Sequence, residues 1–252
     1  MSSNQAPEFL VVIPARLGST RLPRKPLADI GGKPMVIRVA ERAKQSLAKS
    51  VVVATDSAEI EAACREHHIE CLLTSPDHLT GTDRLAEVAQ LLKLPANALL
   101  VNVQGDEPLI PPELINQVAQ TLANSTQCAI ATVAVPISDR SEIDNPNVVK
   151  VVLNHAHEAM YFSRAPIPFV RDTQSTHKTE YLRHLGIYAY RADFLQAFSK
   201  LEPAPPEQAE ALEQLRALWN GYRIAVHIAL EVPPAGVDTP EDLERVRRLM
   251  GV

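Results

Sequence analysis

Arg16, Arg21, Arg24 and Lys25 fall within ten residues of a chain whose net charge is −5. They share that stretch with Gly18, Ser19 and Thr20, directly after the apolar run Phe9–Ile13. Four cations, two hydroxyls and a glycine at a strand end suit a polyphosphate. Guanidinium and ammonium groups neutralise phosphate charge, and in open α/β sheets ligands bind beyond the carboxyl ends of strands. A solvated basic loop is the plainer alternative. The pattern is neither Gly-x-Gly-x-x-Gly nor a P-loop, which argues against dinucleotide oxidoreductases and P-loop enzymes.

A second apolar run, Ala98–Val103, ends in Gln104-Gly105-Asp106-Glu107-Pro108 and places an acid on the crevice side of a central strand. Near the C-terminus, Thr239-Pro240-Glu241-Asp242 reads as an N-cap, a proline at the first helical position and acids in the first turn. Asp238 then stands uncommitted just before the helix. Magnesium bound with substrate phosphates takes one or two carboxylates and keeps waters, so Asp106 and Asp238 are candidate ligands. Alternatively, Gly-Asp-Glu-Pro is a turn leading into a helix from Pro111 or Pro112. Other groupings carry less. Cys64-x-x-His67-His68-x-x-Cys71 imitates a zinc spacing but straddles a helix pattern and a strand pattern. His155 and His157 lie in a polar, hairpin-like stretch expected to be exposed. Ser19 and Ser163 lack a nucleophile-elbow setting, and the absence of Asp-x-Asp weakens a metal-dependent glycosyltransferase reading.

The elements that must position these residues follow from periodicity. Short runs at Phe9–Ile13, stopped by Pro14, and at Val51–Ala54, Cys71–Leu73 and Ala98–Val103 read as buried strands. Between them, Met35–Ala43, Glu59–His67 and Leu85–Leu92 repeat apolar residues every three or four positions and read as helices. Such alternation predicts a mostly parallel sheet covered by helices. Ala129–Val135 and Val148–Leu153 follow with little helix between them, so the later sheet is expected to be mixed. Eight of eleven aromatics lie in residues 161–198, as a local sub-core or an interface. Glu207–Trp219 reads as a helix, Tyr222–Glu231 as a last strand, and residues from Thr239 to Met250 as a final helix. With 46% hydrophobic and 22% charged residues, 252 residues can bury a sizeable core. The acidic balance offers no footprint for nucleic acid or anionic membrane. Three cysteines and no apolar run of membrane length predict a reducing, cytoplasmic setting.

Nine blocks, in order, carry a resemblance: Ile13–Leu27, Gly32–Met35, Ala54–Asp56, Gly81–Leu85, Val101–Pro108, Tyr161–Arg164, Arg183–Tyr188, Leu212–Arg216 and Val237–Glu244. They resemble the CMP-Kdo synthetase family, the 3-deoxy-D-manno-octulosonate (Kdo) cytidylyltransferases, over nearly the whole chain. The resemblance implies an α/β, Rossmann-like nucleotidyltransferase fold with a mostly parallel mixed sheet flanked by helices. It implies one domain, 1–252, with 140–200 as an acceptor-binding and dimerisation segment. The implied reaction is CTP plus Kdo giving CMP-Kdo and pyrophosphate for lipopolysaccharide assembly, in a Mg²⁺-dependent homodimer. Arg16, Lys25, Asp106 and Asp238 take the catalytic roles, the two acids as magnesium ligands. Ala15, Thr82 and Arg84 join Arg16, Lys25 and Asp106 around the nucleotide. Gln104, Arg164, His184, Tyr188, Glu213 and Gln214 line the Kdo pocket. Tyr188 could equally be core, Glu213 and Gln214 ordinary helix residues, and His184 structural. Arg24 stands where many family members have glycine, although arginine is also common among relatives, and puts the loop's flexibility in doubt more than its function. No residue stands out as a general base. Two readings stay beside this one: a cytidylyltransferase for sialic acid or an amino-modified Kdo, and a non-catalytic nucleotide-binding regulator.

Overall fold

A computed structural model describes residues 6–18, 21–78, 80–172, 179–230 and 233–252. The first half alternates as the spacing predicts: β1 (Phe9–Ala15), α1 (Met35–Ala43), β2 (Ser50–Thr55), α2 (Ala58–Glu66), β3 (Glu70–Leu73), α3 (Gly81–Leu91), β4 (Leu99–Asn102) and α4 (Pro112–Asn124). The four strands pair in parallel in the order β3-β2-β1-β4. Helices cover both faces, so Val11, Val12, Ile13, Val52, Val53, Leu100 and Val101 are fully buried. A strand buried on both faces must be apolar on both, which is why these runs are continuous rather than alternating.

Most boundaries shift by a residue or two from expectation, and two differences have a plain local reason. β1 runs through Pro14 to Ala15. Pairing with β4 ends at Val12–Asn102, so the N–H that proline lacks falls beyond the end of that ladder. α3 begins at Gly81, four residues ahead of Leu85, because Thr80 and Asp83 form a capping box. The Thr80 hydroxyl accepts from the Asp83 N–H at 3.1 Å, and the Asp83 carboxylate accepts from the Thr80 N–H at 3.2 Å.

The second half continues with β5 (Ile130–Pro136), the short α5 (Ser141–Asp144), β6 (Lys150–Leu153), β7 (Ala159–Ser163), β8 (Leu182–Arg191), α6 (Ala192–Phe198), α7 (Pro205–Glu210), α8 (Gln214–Trp219), β9 (Ile224–Ile228) and α9 (Pro240–Met250). β8 enters antiparallel between β4 and β5, and β9 runs parallel to β5 at the sheet edge. The β6–β7 hairpin joins the start of β8 and carries His155 and His157 on its exposed turn. The sheet is therefore mixed, as expected. The last strand is shorter than Tyr222–Glu231, and Glu231 lies outside the described residues, as do Ser19 and Thr20.

The predicted helix Glu207–Trp219 is two helices. Ala211, at φ 51°, takes the left-handed conformation that ends α7, and α8 restarts at Gln214. Across this elbow Arg216 donates to both carboxylate oxygens of Glu207 at 2.8 and 2.5 Å while its guanidinium lies 4.7 Å over the Phe198 ring. The clustered aromatics divide: Phe162, Tyr190, Phe194 and Phe198 are buried, whereas Phe169 is 85% exposed. Burial alone would raise the Glu207 pKa, but hydrogen bonds from Arg216 and the Ala204 N–H hold it below the usual carboxylate range. Such a depressed acid stabilises the fold above its unfolded pKa, and that contribution is lost as pH falls through the folded value. Arg216→Met strands the carboxylate and should cost about 3 kcal/mol at pH 7 in urea unfolding. The deficit should shrink as pH falls and Glu207 protonates.

Candidate active site

The chain leaves β1 for β2 and β3 on one side and returns to β4 on the other, so strand order reverses at β1 and β4. A crevice opens at their carboxyl ends. Two close backbone approaches shape it. A Cβ on Gly105 would stand 3.0 Å from the Pro14 carbonyl oxygen, and one on Gly236 would stand 3.1 Å from that of Asp106. Glycine permits both approaches, and the Val237 N–H donates to the Asp106 carbonyl at 2.8 Å. Behind this contact Ile30, Met35, Val237, Leu243 and Val246 form a separate apolar cluster that docks α9. Thr239 caps α9 through a capping box with Asp242, so Asp238 is not used as a cap.

Lys25 completes the arrangement. It opens a 3-10 turn, Lys25–Leu27, whose Pro26 is buried. Its Nζ donates to Asp106 Oδ2 at 2.6 Å and to Asp238 Oδ1 at 3.0 Å, and Arg21 pairs with the same Asp238 oxygen at 3.2 Å. Burial pulls the Lys25 ammonium down, but its bonds to the two acids outweigh burial and raise its pKa above the ordinary lysine value. Arg24 sits at φ 56°, the left-handed region that glycine favours, while its guanidinium grips Glu59. That conformation costs an L-residue about 1–2 kcal/mol, a cost glycine would not carry.

A cleft of about 450 Å³ lies over these groups, lined by Ala15, Arg16, Gly18, Arg21, Lys25, Gln104, Asp106 and Asp238 among others. A smaller pocket of about 180 Å³ shares Pro14, Ala15, Arg16 and Gln104 with it and adds His78, Thr80, Gly81 and Arg84. Arg84 is buried and held by Asp56 at 3.0 Å and by the Thr74 hydroxyl. Two carboxylates from separate segments converging on one cationic atom fit a small hard cation completed by phosphates and water. Among the described residues no three or more His, Cys, Asp or Glu side chains cluster as a metal site.

Of the residues expected to hold the sugar, Gln104 follows β4 and donates to the Gly186 carbonyl at 3.4 Å, while the others lie on β8, at the start of α8 and just past β7. On β8 a bulge opposite Thr132 and Val133 contracts the strand, so the rings of His184 and Tyr188, four residues apart, come within 5.3 Å. The Thr132 hydroxyl donates to the Ile187 carbonyl at 2.7 Å, leaving it to accept from His184 Nε2 at 3.0 Å. Burial pushes the His184 pKa down to about 3, so the ring is neutral and Nδ1 is an acceptor. Tyr188, Tyr190, Thr82, Glu213 and Gln214 border a cavity of only about 30 Å³. Glu213 Oε1 and Gln214 Nε2 are buried there without partners. Thr82 is placed on this side too: its hydroxyl donates to Glu213 Oε2 at 2.7 Å. Burial raises the Glu213 pKa.

Arg164 is arranged differently from a free carboxylate-binding fork. Its Nε, Nη1 and Nη2 donate to the carbonyls of Glu210, Pro146 and Ala211 at 2.7, 2.9 and 3.4 Å. The guanidinium thus clasps the α7–α8 elbow that presents Glu213 and Gln214. Lys150, fully buried, locks the clasp by donating to the carbonyls of Asn145, Val148 and Arg164 at 3.0, 2.6 and 2.5 Å. Ser163 is spent on Glu210 at 2.6 Å. Sequence reasoning missed His78, whose Nε2 lies 2.6 Å from Glu87, and Glu107, whose Oε2 is buried without a partner. Burial, then the neighbouring Asp106 charge, raises Glu107 to about 7. Only the Thr80-x-x-Asp83 cap could have pointed toward this wall.

Fold and site define a nucleotidyltransferase, and a cytidylyltransferase family model matches residues 10–224. The chain belongs, within the cytidylyltransferases, to the 3-deoxy-manno-octulosonate cytidylyltransferase family. It is 82% identical over 249 residues to the protein of that name from Polynucleobacter necessarius subsp. necessarius (strain STIR1), covering 99% of this chain and 98% of that one. It is 83% identical over 247 residues to the namesake from Polynucleobacter asymbioticus (strain DSM 18221 / CIP 109841 / QLW-P1DMWA-1), covering 98% and 97%. A solved structure of CMP:2-keto-3-deoxy-manno-octonic acid synthetase complexed with CTP superposes with a TM-score of 0.90 at 44% identity, covering 97% of this chain and 99% of that one.

Glu213 gives this site a stability signature. An acid whose folded pKa is raised weakens the fold as pH rises past its unfolded pKa. Glu213→Gln keeps the shape without the buried charge and should unfold at higher urea at pH 8, by roughly 1 kcal/mol. That advantage should fade as pH falls below the unfolded glutamate pKa of about 4.3, where the wild-type carboxyl becomes protonated in both states.

Proposed function

We propose that this protein transfers CMP from CTP to Kdo, releasing pyrophosphate, as a Mg²⁺-dependent homodimer in the cytoplasm. The observation that carries the reading is the convergence of Asp106, Asp238 and Lys25 at the mouth of a cleft lined by Arg16, in a chain more than four-fifths identical to named Kdo cytidylyltransferases. Magnesium held by Asp106 and Asp238 would neutralise charge on the phosphates. Arg16 and Lys25 bind and orient the triphosphate, and the adjoining pocket at Ala15 and Arg84 receives the rest of the nucleotide. The anomeric hydroxyl of Kdo attacks the α-phosphorus and gives up its proton to solvent, a new P–O bond forms, and the α–β bridge breaks toward pyrophosphate. Most of the acceleration comes from positioning and charge neutralisation.

On the acceptor side, neutral His184, Tyr188 and Gln104 suit hydroxyls, and the unpartnered Glu213 Oε1 and Gln214 Nε2 supply an acceptor and a donor. Thr82 serves this side through Glu213 rather than the nucleotide. Residues 140–200 supply acceptor contacts and the dimer face, and the exposed Met160, Tyr161 and Phe169 support the second role. Among the described residues no helix is long and apolar enough to cross a membrane.

A pyrophosphate-release assay with CTP across Kdo, an amino-modified Kdo and sialic acid tests this reading. The highest kcat/KM is expected for Kdo, and release with none of the three would refute it. Asp106→Asn and Asp238→Asn should each lower kcat by about 10²-fold or more with the far-UV spectrum unchanged. Near-wild-type turnover in either removes that acid from the site. Arg164→Lys keeps the charge but cannot span three carbonyls, so the KM for Kdo should rise while that for CTP holds. An equal rise in both would place Arg164 outside acceptor recognition.

A further inference from the structure

The Lys25 ammonium lies between two carboxylates rather than out over the cleft. Its Nζ is 2.6 Å from Asp106 Oδ2 and 3.0 Å from Asp238 Oδ1. Arg21 places a second cation on the same Asp238 oxygen at 3.2 Å. Two carboxylates facing two cations leave the locus near neutrality. A divalent ion approaching it meets little net attraction, and meets direct repulsion from an ammonium bonded to both of its ligands. The two cations cannot share the gap.

The backbone of Lys25 is not free to withdraw. It opens a 3-10 turn closed by a Leu27 N–H to Arg24 carbonyl bond of 2.8 Å, and the next residue, Pro26, is buried. The side chain is free to turn: four methylenes carry a point charge with three rotatable donors. Lys25 and both acids line the same cleft, so phosphates bound there would offer the ammonium more negative charge than the carboxylates do.

We propose that Lys25 is an internal counterion that reserves the Asp106–Asp238 pair, neutralising both carboxylates until nucleotide binds and then turning to the phosphates, so that metal binding is conditional on nucleotide. The inference rests on the reading of this pair as the metal site. It gives one residue two partners in succession, and by linkage nucleotide must strengthen metal binding by the factor with which metal strengthens nucleotide binding.

The test uses Mn²⁺ on the full chain, with free Mn²⁺ counted by electron paramagnetic resonance. Wild type and Lys25→Met are each titrated without nucleotide and with CTP. Without nucleotide, Lys25→Met should bind Mn²⁺ about 5- to 150-fold more tightly than wild type, the span of ordinary coupling between sites. Adding Asp106→Asn should abolish the gain. Lys25→Gln should match Lys25→Met, and Arg21→Gln, which relieves only one oxygen of Asp238, should gain less. Mn²⁺ binding by both Lys25 variants no tighter than wild type overturns the proposal. Wild type alone provides a check free of variants: its Mn²⁺ affinity without nucleotide must fall at least about 5-fold below the Asp106-dependent affinity with CTP. Equal affinities overturn the proposal. If wild type with CTP shows no Mn²⁺ binding that Asp106→Asn removes, the metal reading falls and the counterion role with it. If that binding is present and the Lys25 variants gain nothing, the counterion role alone falls.

Discussion

Apolar packing forces the two acids together, and the charges settle afterwards. Asp238 reaches Asp106 because Val237 is buried with Ile30, Met35, Leu243 and Val246 under α9. Each such side chain contributes about 1.5–3 kcal/mol of burial. The ion pairs at the site have exposed partners, the Asp238 side chain retaining 48% of its surface and that of Arg21 66%, and pairs of that kind contribute about 0–1 kcal/mol. The sum over the cluster wins by a wide margin. Two carboxylates held close by packing then demand a cation, and Lys25 is the residue whose short, anchored turn delivers one.

Close backbone contacts build the proposed phosphate half of the crevice. Gly105 lies against Pro14 and Gly236 against Asp106, each at a distance that a side chain would spoil. The basic loop between them is held by the buried Pro26, and Arg24, strained in the left-handed region, is tied by its side chain to Glu59. Cations are thus aimed at the cleft without a glycine-rich cradle, and the chain manages with few glycines.

The proposed acceptor half is built on the antiparallel excursion and follows different physics. Its polar groups are buried, and their charge is suppressed: His184 is neutral, Glu213 is raised, and atoms of Glu213 and Gln214 lack partners. Unsatisfied buried groups cost about 1–3 kcal/mol each unless a ligand or water meets them. The cavity they border is about 30 Å³, close to the room one water requires. The Arg164–Lys150 clasp on the α7–α8 elbow therefore governs how these groups are presented.

By itself the sequence determined what depends on neighbours along the chain. Phe9–Ile13 and Ala98–Val103 read as strands, and Met35–Ala43 as a helix, because hydrophobic period is local. The loop from Arg16 to Lys25 was legible as a cationic site, and Asp238 as a carboxylate outside its helix cap, because both follow from residue type and spacing. The tertiary structure decided which side chains meet. Lys25 faces the acids, Thr82 faces Glu213, and Arg164 spends its fork on three carbonyls. Lys150 lies buried under its own hairpin. Ala211 breaks a helix that its neighbours would otherwise propagate, because Arg216 must fold back onto Glu207. Most of these depend on the distance between segments remote in sequence, and that distance is set by sheet order, a β-bulge and the packing of α9 rather than by any local preference.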